Sequence, residues 1–125
     1  MAEIRKTVDK ARNLTTFTVS GKVAGEELME AMTAFLTGEA TLLSLWDCTD
    51  VDDIEISSEQ IGAFVDDAKR LGEARRGGRT AWVVPTQFGY GLGRMATILS
   101  ELRDVPFEAQ VFRSLDEAKR WLGVN

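Results

Sequence analysis

The side chains with chemistry to offer are few and unevenly placed along the 125 residues. Cys48 is the only thiol and there is no histidine, so histidine-based triads, histidine general bases and histidine metal ligands are excluded. Activating Cys48 would take a nearby Lys or Arg or a helix N-terminus. Its neighbours Asp47 and Asp50 instead raise a thiol pKa, which predicts an inert buried group. Asp47, Asp50, Asp52 and Asp53 carry oxygens suited to Mg²⁺ or Ca²⁺, but their spacing lacks the glycine and the distal glutamate of an EF-hand loop. They read as a solvated acidic loop, and no metal is assigned. Gly89, Gly91 and Gly93 have the look of a dinucleotide fingerprint, yet Arg94 stands where its third glycine belongs. A candidate anion site remains, with Gly91, Gly93 and Arg94 facing an anion at a helix start. The competing reading is a turn that lets a helix and a strand pack closely. Arg75-Arg76-Gly77-Gly78-Arg79 is too short for an RNA-binding tract and reads as a polar turn.

Charge is distributed more tellingly than its net value of −5 suggests. Between Val23 and Ala68 there is no Lys or Arg, while twelve Asp and Glu residues fall in that stretch. The remainder carries fifteen basic and eight acidic residues. An acidic chain of this kind argues against phosphate-backbone binding, so no nucleic-acid partner is expected. If the two segments occupy different faces, the molecule has an acidic side able to steer a basic partner, with Asp47, Asp50, Asp52, Asp53, Glu55 and Glu59 as the candidate interaction face. The bland alternative is a solvated face that only maintains solubility.

Hydrophobic periodicity gives the elements that must position these groups. Glu3 to Val8 and Leu14 to Val19 are β-prone runs that predict an N-terminal hairpin. Leu28, Ala31, Met32, Phe35 and Leu36 form one helical stripe, ending near Gly38. Leu42 to Trp46 reads as a central strand covered on both faces, after which the acidic loop begins. In Ile56-Ser57-Ser58-Glu59-Gln60-Ile61, Ser57 and Gln60 form a capping box and Ile56 packs on Ile61 as a staple, which starts a second helix. Ile61, Phe64, Val65, Ala68 and Leu71 supply its buried stripe, and Gly72 ends it. Arg79 to Val84 is a strand closed by Pro85. A third helix is expected from about Gly91 to Leu102 with Leu92, Met95, Ala96, Leu99 and Leu102 inward, then a strand near Ala109 to Phe112. Ser114 and Glu117 make a second capping box for a last helix buried through Leu115, Ala118, Trp121 and Leu122.

The order β-β-α-β-α-β-α-β-α predicts a single α/β domain over residues 1–125, with parallel crossovers between strands separated by helices. At 44% hydrophobic and 28% charged, the chain is too apolar for disorder and too interrupted by charge for a membrane span. With one cysteine and no basic and apolar leader after Met1, a reducing cytoplasm is the expected compartment.

Val111-Phe112-Arg113-Ser114-Leu115-Asp116-Glu117-Ala118-Lys119-Arg120-Trp121-Leu122 resembles the closing strand and helix of the SpoIIAA-like proteins of the STAS fold. Ala81-Trp82-Val83-Val84-Pro85 and Gly89-Tyr90-Gly91-Leu92-Gly93-Arg94-Met95 support the resemblance, which spans nearly the whole chain. It implies a mixed, mostly parallel five-stranded sheet with four helices, and a small regulatory or binding domain without catalytic residues. Anti-sigma-factor antagonists of this fold carry Asp-Ser-Ser-Gly at the start of the second helix, and the second serine is phosphorylated. Here the matching positions read Ile56-Ser57-Ser58-Glu59, so the resemblance offers Ser58, and beside it Ser57, as phospho-acceptors. Both serines match and the flanking Asp and Gly do not. A phosphate there would gain from the helix N-terminus but face repulsion from Asp52, Asp53, Glu55 and Glu59.

Two functional classes follow. One is a non-catalytic regulatory or protein-interaction module, docking a basic partner or pairing with its own basic portion in a homodimer. The other is a binder of a small apolar or anionic ligand, since related folds enclose apolar ligands and Trp46, Trp82, Phe88 and Met95 lie near predicted element ends. No cofactor is assigned under either.

Overall fold

The computed structural model describes residues 2–124 and opens on an antiparallel pair, β1 (Glu3–Asp9) and β2 (Leu14–Ala24). The remaining elements are α1 (Gly25–Thr37), β3 (Leu43–Glu55), α2 (Ser58–Leu71), a short 3-10 turn at Glu73–Arg75, β4 (Arg79–Val83), α3 (Gln87–Leu102), β5 (Glu108–Phe112) and α4 (Leu115–Leu122). The five strands lie side by side in chain order, and every pair after the first is parallel. Right-handed crossovers between successive neighbours send α1, α2 and α3 to one face of the sheet. The last helix, α4, returns to the other.

Strand pleating divides the core accordingly. Phe17, Val19, Trp46, Cys48 and Val84 point into the layer of α1 to α3, together with Leu28, Met32, Phe35 and Ala68. Leu45, Ala81 and Val83 point the other way, onto Ala118 and Leu122 of α4. In register across three strands, Phe17 stacks on Trp46 with centroids 3.9 Å apart and Trp46 on Trp82 at 4.7 Å.

Four boundaries differ from the sequence reading. Beyond Val19, β2 continues to Ala24, because the register shifts between Thr18 and Ser20 and between Gly21 and Lys22 let the strand bend without losing its partner. Gly21 sits at φ 82°, a conformation that favours glycine. The acidic loop is not a loop: its residues form the second half of β3, pairing with β2 from Ser20↔Asp50 to Ala24↔Glu55. Leu42 lies outside the strand and is exposed. Finally, α3 begins at Gln87, where Thr86 caps it by accepting from the Gly89 amide, about a turn before the predicted start. Met95 and Leu102, expected inward, are 41% and 73% exposed.

Candidate functional site

Because β2 and β3 run parallel, the helices that follow them both start at the same end of the sheet. The capping box at Ser57 is formed as expected: its hydroxyl accepts from the Gln60 amide at 3.1 Å, and the Gln60 side chain accepts from the Ser57 amide at 2.8 Å. Gln60 also donates to Glu26 at 2.7 Å, tying the first turn of α2 to that of α1. Glu27 accepts from the Ala24 amide at 3.0 Å. Carboxylates at Glu26, Glu27 and Glu59 therefore sit where helix N-termini favour negative charge.

The β3 carboxylates have no such explanation. Only Leu43 to Asp47 pair with β4, so from Cys48 to Glu55 the strand is paired with β2 alone and its other edge is open. Asp50, Asp52, Asp53 and Glu55 are exposed along this extension, and Glu59 is exposed just beyond it. Glu55 pairs with Lys22 at 2.9 Å, which holds the Lys22 ammonium above its usual pKa. Asp47 turns back locally, accepting from the Thr49 amide at 3.0 Å. Among the described residues, no three acidic or thiol groups come together as a metal-holding group. Toward the far end of α2 the charge is cancelled, Asp66 by Arg103 and Asp67 by Arg70, each at 3.0 Å.

Ser57 and Ser58 are both exposed. The Ser57 hydroxyl is engaged in the cap, whereas Ser58, at the first helical position, forms no side-chain hydrogen bond among the described residues.

The proposed anion site is corrected by the earlier start of α3. Gly91 and Gly93 lie inside the helix, where backbone amides are spent on the preceding turn, and Arg94 is exposed on its flank. The alternative reading of close packing holds at two glycines. A Cβ on Gly93 would stand 2.7 Å from the Val111 side chain of β5, and one on Gly89 would collide with Val84. At Gly91 nothing lies within 4 Å.

Between α1, α2, α3 and the sheet lies a cavity of about 70 Å³, walled by apolar side chains such as Leu28, Ile54, Ile61, Phe64 and Trp82, together with Cys48. Burial, with a smaller contribution from Asp47, pushes the Cys48 thiol up to about 12, so it is neither nucleophile nor ligand at neutral pH. Trp46 and Trp82 belong to the core stack, while Phe88 is 68% exposed.

Arg75 is the residue that the sequence misplaced. Instead of lying in a polar turn it is 1% exposed. Its guanidinium donates to Thr41 O (2.7 Å), Leu42 O (2.8 Å), Arg79 O (3.0 Å) and Thr80 Oγ1 (2.8 Å), and lies over the rings of Phe107 and Phe35. Burial lowers its pKa to about 10, which leaves it cationic at neutral pH. Arg79 instead reaches outward, donating to Trp121 O at 2.7 Å.

A family model described as SpoIIAA-like matches residues 14–123. The chain belongs to the SpoIIAA-like family. Three solved structures share its fold. An uncharacterized DUF3478-family protein with a SpoIIAA-like fold from Shewanella loihica PV-4 is 19% identical, with a TM-score of 0.57 over 97% of this chain and 93% of that one. An anti-sigma factor antagonist from Mycobacterium paratuberculosis is 15% identical, with a TM-score of 0.59 over 98% and 95%. The anti-sigma factor antagonist SpoIIAA in its unphosphorylated form is 12% identical, with a TM-score of 0.53 over 97% and 98%. A search of curated proteins gave no match. Among the described residues, no helix is long and apolar enough to cross a membrane.

Proposed function

We propose that this SpoIIAA-like chain is a non-catalytic regulatory module that binds a basic protein partner through the acidic end of β3 and the start of α2. One observation carries the reading. Asp50, Asp52 and Asp53 stand exposed on a strand whose far edge pairs with no other strand, where Asp is disfavoured and where no helix dipole rewards it; only Asp53 faces a cation, Lys22 across the ladder, which Glu55 already holds. Charges of this kind also keep an open edge from pairing with another sheet. The two uses are compatible, since an edge guarded by carboxylates rejects neutral strands and admits a segment rich in Lys or Arg. Two proteins that share this fold are anti-sigma factor antagonists. Ser58, the free hydroxyl beside this acidic end, is the position at which phosphorylation would add further charge and alter binding.

The test compares the wild type with a variant carrying Asp50→Asn, Asp52→Asn and Asp53→Asn, cross-linked in extracts of the source cells at about 0.05 and about 0.5 M salt. A basic protein captured by the wild type at low salt, lost at high salt and lost in the variant supports the proposal. Identical capture profiles for the two proteins refute it.

The apolar cavity favours a second reading, a small apolar ligand. At about 70 Å³ it is far below the ~300–1,000 Å³ of ordinary ligand clefts, so only a molecule of a few non-hydrogen atoms fits without movement of α3. Native mass spectrometry of gently purified protein separates the two: a retained small mass favours the ligand.

A further inference from the structure

The helix α3 carries an apolar stripe that nothing in the fold covers. Phe88, Met95, Ile98 and Leu102 are 68%, 41%, 47% and 73% exposed, and with Gly91 they recur at intervals of three and four residues. That is the a/d spacing of a helix seam. The buried side of the helix is a different one, formed by Gly89 against Val84 and Gly93 against Val111, with Leu92 and Ala96 at the cavity. The stripe therefore lies on the other side of α3 from those contacts, with Ile98 at the rim of a groove between α3 and β5.

Gly91 is the second observation. A glycine within a helix destabilises it relative to alanine. Gly89 and Gly93 have a reason within the fold, since a Cβ at either would strike a neighbour, whereas the space above Gly91 is empty. The notch has no use in the isolated chain.

We propose that the α3 stripe is the seam of a two-fold homodimer, in which α3 packs antiparallel against α3 of a second copy. An antiparallel seam sets each a residue opposite a d residue of the other helix. Setting Met95 opposite the second copy's Ile98 places Leu102 over the second copy's Gly91, so the most exposed knob meets the notch. The same register brings Arg94 beside the second copy's Glu101, and two-fold symmetry forms each contact twice. Both residues are exposed, and neither forms an ion pair among the described residues. Apolar matching, notch and charge thus agree on one alignment, and a second copy supplies all three. Phe88, at the start of the stripe, borders the groove that Asp52 and Asp53 line, but the contacts of the seam lie between Gly91 and Leu102, and this inference does not rest on the proposed function.

Sedimentation equilibrium on the full chain tests it. The wild type is expected to dimerise, and Arg94→Glu or Glu101→Arg alone should raise the dimer dissociation constant by on the order of tenfold, because two attractions become two repulsions. The double reversal should restore the wild-type constant. Gly91→Ala should weaken the dimer while raising the melting temperature measured on dilute monomer, a combination that a merely structural glycine would not give. A wild type that stays monomeric up to roughly millimolar protein, a dimer indifferent to both single reversals, or a double reversal that fails to restore it would overturn the proposal.

Discussion

Replacing Arg75 with methionine should destabilise the chain by about 2 kcal/mol, and the structure supplies the terms. The guanidinium ties the segment before β3 to the start of β4 through four hydrogen bonds. Three acceptors keep another partner after its removal: Leu42 O still takes the Arg79 amide at 2.9 Å, Thr80 Oγ1 still meets Ser44 Oγ at 2.8 Å, and Arg79 O stays in the ladder between β3 and β4. Thr41 O loses the bond it receives from the side chain. A buried acceptor left unpaired costs about 1–3 kcal/mol, and the bonds lost at the other three acceptors bring the total to about 2–4. Against this, methionine fills much of the space between Phe35 and Phe107 and removes the cost of burying a charge, the same cost that lowers the Arg75 pKa to about 10. The balance falls near the lower half of that range, a large fraction of the ~5–15 kcal/mol that holds a typical domain together. Urea unfolding followed by fluorescence of the buried Trp46 measures it, and the dependence on urea should be unchanged if only the native state is affected. A loss below about 1 kcal/mol would refute the reasoning, because desolvation of the cation would then have matched everything its hydrogen bonds contribute.

Other consequences are more quickly stated. Cys48 should resist a thiol reagent at pH 8 in the native protein and react at once in denaturant; fast native labelling would contradict its burial. Its folded pKa is raised from 9.0 to about 12, so the unfolded state releases the proton first and stability falls as pH climbs above 9, by on the order of 1 kcal/mol at pH 10. Cys48→Ala should lack that increment when the two proteins are titrated side by side. Ser57→Ala removes the acceptor for the Gln60 amide and should cost about 1 kcal/mol in urea unfolding. Gly93→Ala forces α3 away from Val111 and should cost about 1–3 kcal/mol despite alanine's better helix propensity, measured the same way; a more stable variant would show that β5 yields freely.

What could be read from the residues was the part governed by local rules. The capping box at Ser57, the stripes of α1, α2 and α4 and the element order all express contacts within a few residues; at Ser114 the hydroxyl accepts from the Glu117 amide as expected, but the Glu117 side chain does not close the second capping box. The misreadings fall where a distant partner decides. Arg75 sits in a sequence of Arg and Gly that any local rule places in solvent. It is buried because Thr41 O and Leu42 O, more than thirty residues earlier, present acceptors that a guanidinium can span at once. Met95 and Leu102 were assigned inward because apolar periodicity marks a face without saying what covers it. Within α3 the two glycines that approach neighbours, Gly89 and Gly93, define the inward side instead.

The acidic stretch fails a local rule in the opposite direction, and that failure bears on function. Asp50 to Glu55 has the composition of a loop, yet it continues β3 because β2, rich in Thr and Val, offers a ladder as far as Ala24. A loop would have left these carboxylates free to spread apart or to fold back on a helix end. A strand holds alternate side chains to opposite faces at fixed intervals and presents the open backbone edge beside them. For a binding surface that difference is material: a rigid row of charges beside unpaired amides and carbonyls loses little conformational entropy on docking, so a weak electrostatic attraction can suffice for a reversible complex. The extension of β3 therefore costs the sheet some intrinsic β-propensity and gives the candidate interface its order.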